Sequence, residues 1–108
     1  MNDHPHNEFL AVTCTLRDIF GFRADQLQAR TRVREIAWPR QIGMALLQDQ
    51  FGWHSKDAAL AFCRNHHTTA LHALRTVRDH TRTDHRTRRE IALVLRKLAT
   101  YRSSKGEA

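Results

Sequence analysis

The residues of this chain best suited to chemistry lie between Ala61 and Val77, in the run A-F-C-R-N-H-H-T-T-A-L-H-A-L-R-T-V. Its imidazoles and hydroxyls are crowded together: His66, His67, Thr68 and Thr69, then His72 one turn on. Behind them Ala70, Ala73, Leu74 and Val77 follow the i, i+3, i+4, i+7 spacing of a helix face that packs inward. The run therefore reads as a turn, Cys63 to His66, opening a helix whose first two turns carry the polar groups. Metal binding is a poor fit. His67 and His72 are five apart, which does not put them on one helix face, and no carboxylate joins them nearby. Catalysis fits no better. There is no visible grouping of nucleophile, base and orienting residue, and there are no paired carboxylates, so the expectation is that the chain is not an enzyme. Hydroxyls and imidazoles at a helix start are donors and acceptors suited to base edges and phosphates, and such a helix enters a DNA major groove N-terminus first.

A second group is the basic run A-R-T-R-V-R, Ala29 to Arg34, with Arg30, Arg32 and Arg34. Taken alone, this run also reads as a solvated loop. The whole chain shares its sign, with a formal net charge of +7 and a pI of about 10.7. That balance favours a polyanionic partner, either nucleic acid or an anionic membrane surface. The 108 residues, 41% hydrophobic and 27% charged, fit one globular domain. No apolar run is long enough to span a bilayer and no signal peptide stands out, so a cytoplasmic, nucleoid-associated protein is expected. Cys14 and Cys63 are the only cysteines. Both sit among apolar neighbours and read as buried, reduced thiols, too far apart for a zinc knuckle.

These groups must be held by helices. Residues 1–7 are polar and read as a disordered tail. From Glu8, the spacing of Phe9, Val12, Leu16, Ile19 and Phe20 predicts a helix that Gly21 ends. A short turn of helix follows over Asp25 to Ala29. A longer helix covers Glu35 to Phe51, with Ile36, Ile42, Met44, Leu46 and Leu47 as core candidates. Pro39 either lies in its first turn or kinks it. Trp38 and Met44 read as packing groups, and Trp53 is either packed or exposed. Ser55 reads as an N-cap for a helix to Phe62 carrying Ala58, Ala59, Leu60 and Ala61. The polar helix runs to about His80, Thr81 to Thr87 is a break, and a last helix covers Arg88 to Arg102 with Ile91, Val94, Leu95 and Leu98 inward. Arg88, Arg89, Arg96 and Lys97 fall off that stripe. Residues 103–108 read as a second disordered tail, leaving one domain over 8–102. No strand pattern appears, and the class is all-α with about six helices.

The segment Cys63-Arg64-Asn65-His66-His67-Thr68-Thr69-Ala70-Leu71-His72-Ala73 resembles the C-terminal DNA-binding domain, domain IV, of the bacterial replication initiator DnaA, where a run like G-G-R-D-H-T-T-V-L-H-A occurs. Upstream, A-W-P-R-Q-I-G-M-A-L (Ala37 to Leu46) is similar to that family's A-R-P-R-Q-M-A-M-A-L, and the two blocks keep the family's separation without a gap. The resemblance covers about Leu10 to Leu98 and implies a Trp-repressor-like helix-turn-helix that binds duplex DNA as a monomer. It implies that His67, Thr68, Thr69 and His72, with Asn65 and His66 before them, meet bases and phosphates in the major groove. Arg32 matches the loop arginine that enters the adjacent minor groove, with Arg30 beside it. Arg34 and Arg40 hold phosphates or cap the loop, and Gln48 falls where the family often has a lysine near the DNA backbone.

The departures from the family carry information too. The turn lacks both glycines, which implies fewer positive-φ residues or some strain. His66 replaces an aspartate. A carboxylate accepts from cytosine N4, whereas an imidazole more readily donates to guanine, so a variant of the family's site is expected. No G-x-x-x-x-G-K-[ST] occurs, so neither nucleotide nor other cofactor is implied. The expected activity is recognition of a DnaA-box-like site, in the service of replication initiation or of transcription. The rival expectation is an interaction module that docks on a replication-regulatory protein and reads no DNA site.

Overall fold

The computed structural model describes residues 4–30 and 33–106. Its elements are α1 (His4–Phe20), α2 (Ala24–Gln28), α3 (Arg34–Phe51), α4 (Ser55–Ala61), α5 (His67–Thr83) and α6 (His85–Gly106). Among the described residues all regular structure is helical, and no helix is long and apolar enough to cross a membrane.

α3 is the central post, packed against α1, α2, α4 and α5. Its residues Ile42, Met44, Leu46 and Leu47 are buried with Val12 and Leu16 of α1, Ala58 and Ala59 of α4, and Ala70, Ala73 and Val77 of α5. Phe62, the residue after α4, is fully buried and meets the Phe9 ring edge-on at 5.4 Å between centroids. Burying such a ring stabilises the fold by about 2–3 kcal/mol, and it plugs the turn before α5 into the core. Room for it comes from Gly43. A Cβ there would stand 2.5 Å from Phe62 Cζ and 3.0 Å from Leu16 Cδ1.

The helix ends depart from the sequence reading in several places. Residues 4–7 belong to α1 rather than to a tail, and α6 continues to Gly106 rather than ending at Arg102. Gly21 (φ +84°) and Gly52 (φ +70°) end α1 and α3 in the left-handed region, as glycines at these positions do. Ser55 is the first residue of α4, not its N-cap. His54 holds the cap position, and no side chain bonds the free amides. Leu60 of the apolar α4 run is exposed, and Leu95, expected inward, is partly so. Pro39 lies buried in the second turn of α3, and the helix continues through it.

The expected break over Thr81 to Thr87 shrinks to one residue, Asp84. Thr81 and Thr83 stay helical by donating their hydroxyls to the carbonyls of Val77 and Asp79. Arg88 reaches back to the carbonyls of Thr81 and Arg82 that α5 leaves free. Asp84 accepts the Thr87 hydroxyl at 2.7 Å. That bond, with the amides of Arg86 and Thr87, holds its carboxyl below the usual carboxylate range against some desolvation. Two indoles join the layers: Trp38 donates to Glu90 of α6 at 2.8 Å, and Trp53 donates to Glu8 of α1 at 2.7 Å.

Candidate nucleic-acid interface

The site is assembled at the turn between α4 and α5. Phe62 anchors the turn, and Cys63 takes φ +59°. The Cys63 amide donates to the Leu60 carbonyl at 2.9 Å, and the Arg64 amide to the Ala59 carbonyl at 2.8 Å. This pair of bonds is a Schellman motif, whose left-handed position glycine normally fills. Of the two alternatives for the missing glycines, the turn therefore takes the strained one at Cys63. Cys63 is also exposed rather than buried, while Cys14 is half-buried, and both thiols are free. Arg64, in place of the second glycine, has no positive φ.

The turn delivers His66 to the N-cap of α5 in an extended conformation (φ −111°, ψ 131°), with no side chain capping the helix. The amides of His67 and Thr68 thus remain available, while that of Thr69 donates to the His66 carbonyl at 3.1 Å, and an uncapped helix N-terminus suits a phosphate. Asn65, His66, His67, Thr68 and His72 are exposed, and Thr69 is half-buried against the core. Thr68 and His72 lie on one outer face at i, i+4. Arg75, at i+7 from Thr68, continues that face, is exposed, and pairs with no acceptor among the described residues. The sequence reading missed Arg75, although this spacing was the signal for it.

The basic loop is held beside this face by hydrogen bonds over long sequence distances. Gln28 donates its amide to the Ala61 carbonyl at 2.8 Å, joining the end of α2 to the end of α4. Arg64 reaches from the turn to the Ala29 carbonyl at 3.2 Å. Arg40 approaches the same carbonyl from α3 at 3.2 Å and gives its Nε to the Leu27 carbonyl at 2.7 Å. Arg40 is only 7% exposed. Burial, and then the neighbouring Arg64 cation, lower its guanidinium from the ordinary value, though an arginine keeps its charge.

Of the two roles expected for it, Arg40 thus takes that of capping the loop. Gln48, expected near the DNA backbone, is also engaged within the protein. Its amide is bound to the carbonyls of Ala70 (2.9 Å) and Met44 (3.1 Å), so it braces α5 against α3. Arg30 and Arg34 are exposed at the two ends of the loop. Arg32 lies outside the described residues. Neither Gln28 nor Arg64 had a signal in the sequence as a loop clamp, because each bonds a backbone carbonyl more than thirty residues away.

Among the described residues no three His, Cys, Asp or Glu side chains gather as a metal site requires. The site offers donors, cations and an open helix end, and no acid faces them from the turn or the first turns of α5. No solved structure matches the chain. A family model described as the bacterial DnaA protein helix-turn-helix matches residues 11–77, from the second turn of α1 into the third turn of α5. The match takes in the loop, its clamps and the exposed helix start. That family is one of double-stranded DNA-binding domains rather than of enzymes. By this match over well more than half its length, and with an all-helical fold that presents the turn and helix the family is named for, the chain belongs to the bacterial DnaA helix-turn-helix family.

Proposed function

We propose that this protein reads a DnaA-box-like site in duplex DNA and acts at that address in replication initiation or in transcription. One observation carries the reading. The uncapped, polar start of α5 and the arginine loop are tied into one surface by Gln28, Arg40 and Arg64. A duplex meeting that surface would receive Asn65, His66, His67, Thr68 and His72 in the major groove. Thr69 would support a phosphate at the helix start. Arg30 and Arg34 would hold phosphates on either side of the loop, and Arg32, by its resemblance to the family's loop arginine, would enter the narrow minor groove.

His66 sets the expected difference from the family's usual site. Its imidazole is exposed at the N-cap and free to donate. A base pair that presents guanine N7 or O6 there is favoured over one that presents cytosine N4.

Fluorescence anisotropy at physiological salt tests the reading. The duplexes are a DnaA box, boxes varied at the pair facing His66, and a scrambled sequence. One box should bind at least tenfold more tightly than the scrambled duplex. Thr68→Ala should cost on the order of 1–3 kcal/mol on that box alone. Equal binding to every duplex would refute the site-reading function.

A further inference from the structure

The charge of this chain is not centred on the reading end. Residues 78–108 carry nine Lys and Arg against four Asp and Glu, so five of the seven net positive charges lie beyond the family-matched segment. Most of these cations are engaged. Arg78 pairs with Asp49, Arg82 with Asp79, and Lys97 with Asp18. Arg88 caps the carbonyls at the end of α5, and Arg102 lies 4.6 Å over the Phe51 ring. Among the cations whose side chains are described, three are left. The guanidinium groups of Arg86, Arg89 and Arg96 are exposed and form no ion pair or hydrogen bond among the described residues, that of Arg86 acting on Asp84 only through space.

The three share the outer half of α6, opposite the buried stripe of Thr87, Val94 and Leu98. Arg89 and Arg96 are two turns apart on one line with His85, a separation of about 10 Å along the axis. The two nearest acids, Asp84 and Glu90, lie on the Arg86 side, and each is already bonded. Glu90 accepts the Trp38 indole, and Asp84 is held by Thr87. The line of Arg89 and Arg96 carries no acid of α6, and an outward row of free cations is the pattern a sugar-phosphate backbone neutralises. α6 packs chiefly on α1 and α5, whereas the reading turn lies against the end of α2, so the row meets phosphates other than those at the start of α5.

We propose that the outer face of α6, through Arg86, Arg89 and Arg96, is a second, sequence-independent contact for duplex DNA phosphates. This rests on the DNA-binding reading above and adds grip without adding specificity.

The test uses the full chain carrying Arg86→Gln, Arg89→Gln and Arg96→Gln together, with circular dichroism confirming an unchanged fold. Binding to a 30-base-pair duplex, with and without the preferred box, is titrated from about 50 to 200 mM salt. Two or three lost phosphate contacts should make the slope of log K against log salt shallower by about 2–3. Between those salt limits the parent should lose about 10- to 40-fold more affinity than the variant. The loss should be equal on both duplexes, leaving the preference for the box unchanged.

An unchanged slope, with box preference still destroyed by Thr68→Ala, would overturn the second contact and leave the reading function intact. So would a loss of polyglutamate binding with no loss on DNA, which would assign the face to an acidic protein. A parent chain that binds no duplex would overturn the reading function itself, and the second contact with it.

Discussion

Replacing Cys63 by glycine should stabilise this protein, although the change removes a side chain. Cys63 holds φ +59° at the one position of the turn where the Schellman bonds from Cys63 and Arg64 demand the left-handed region. An L-residue there costs roughly 1–2 kcal/mol, from the crowding of Cβ against the following carbonyl. Glycine removes that cost but brings more entropy to the unfolded chain, roughly 0.5–1 kcal/mol. The cysteine is exposed, so little packing is lost. The net gain is about 0.5–1 kcal/mol. With an unfolding entropy of about 2.1 cal/mol/K per residue, that corresponds to a rise in Tm of about 2–4 °C.

The assay is thermal unfolding followed at 222 nm under reducing conditions, with Cys63→Ala and Cys63→Val as companions. Alanine keeps the Cβ and should leave Tm within about 1 °C of the parent. Valine adds a β-branch at a positive φ and should lower it. A glycine variant no more stable than the alanine variant would refute the claim that backbone strain resides at residue 63. DNA affinity should be unchanged in the glycine variant, because the turn already has the geometry glycine prefers.

Gly43→Ala should destabilise by about 1–3 kcal/mol, read by urea unfolding, since the new methyl would collide with the Phe62 ring that seats the turn. Arg40→Met should cost about 2–3 kcal/mol by strand of two lost charged bonds to the carbonyls of Leu27 and Ala29. Arg64→Ala, more exposed, should cost under about 1 kcal/mol of stability and yet weaken duplex binding in anisotropy, by releasing the loop from the turn. The Tyr101 hydroxyl donates to Asp18. That bond first, then Arg17 and Lys97, holds the Asp18 carboxyl below its usual range, while Asp18 and then burial raise the tyrosine. The Asp18 contribution is present above the usual carboxylate range and is lost as pH falls through the lowered value. The tyrosine contribution is present below the ordinary phenol value and is lost as pH rises through the raised one. Tyr101→Phe should therefore flatten the fall of Tm at both ends of its pH profile.

How far the fold could be read ahead of the structure depended on whether a signal was local. The four long helices were visible because Val12 and Leu16, Ile42 and Leu46, Ala70 with Ala73 and Val77, and Val94 with Leu98 keep helical spacing, and each of these pairs and sets is buried. The end of α5 was misplaced because polar threonines and arginines read as a break. In the folded chain those same residues supply the bonds that carry helix up to Asp84. Leu60 is exposed for a different reason. It continues an apolar run, but α4 is short and packs one side only, with Ala58 and Ala59 inward.

The residues proposed to read DNA, Asn65 to Thr68 and His72, were all named from the motif, and all are exposed. Of the residues that place them, Arg40 was named with loop capping as one of two roles, whereas Gln28 and Arg64 were not, because they act on backbone carbonyls far along the chain and a carbonyl has no letter in the sequence.

That difference changes how substitutions in this site should be interpreted. A loss of binding after changing Arg40 or Gln48 would suggest a contact with DNA, although both are spent inside the protein. The two kinds of residue separate by which duplexes they affect. Thr68 and His72, exposed on the outer face of α5, should weaken the preferred box and spare the scrambled duplex. Arg40 and Gln48 set the positions of the loop and of α5, so their removal should lower stability along with box binding. Arg64 occupies the middle. It replaces a residue whose family counterpart has no side chain, and it sits next to the strained Cys63. Its guanidinium joins the turn to the loop at Ala29, so the same substitution that removed a glycine also supplied a link between the two halves of the reading surface. Restoring glycine at 64 should therefore leave the backbone of the turn in place and still weaken DNA binding, whereas restoring it at 63 should relax the turn and leave binding alone. Binding lost with glycine at 63 and kept with glycine at 64 would be inconsistent with the loop and the turn acting as one surface.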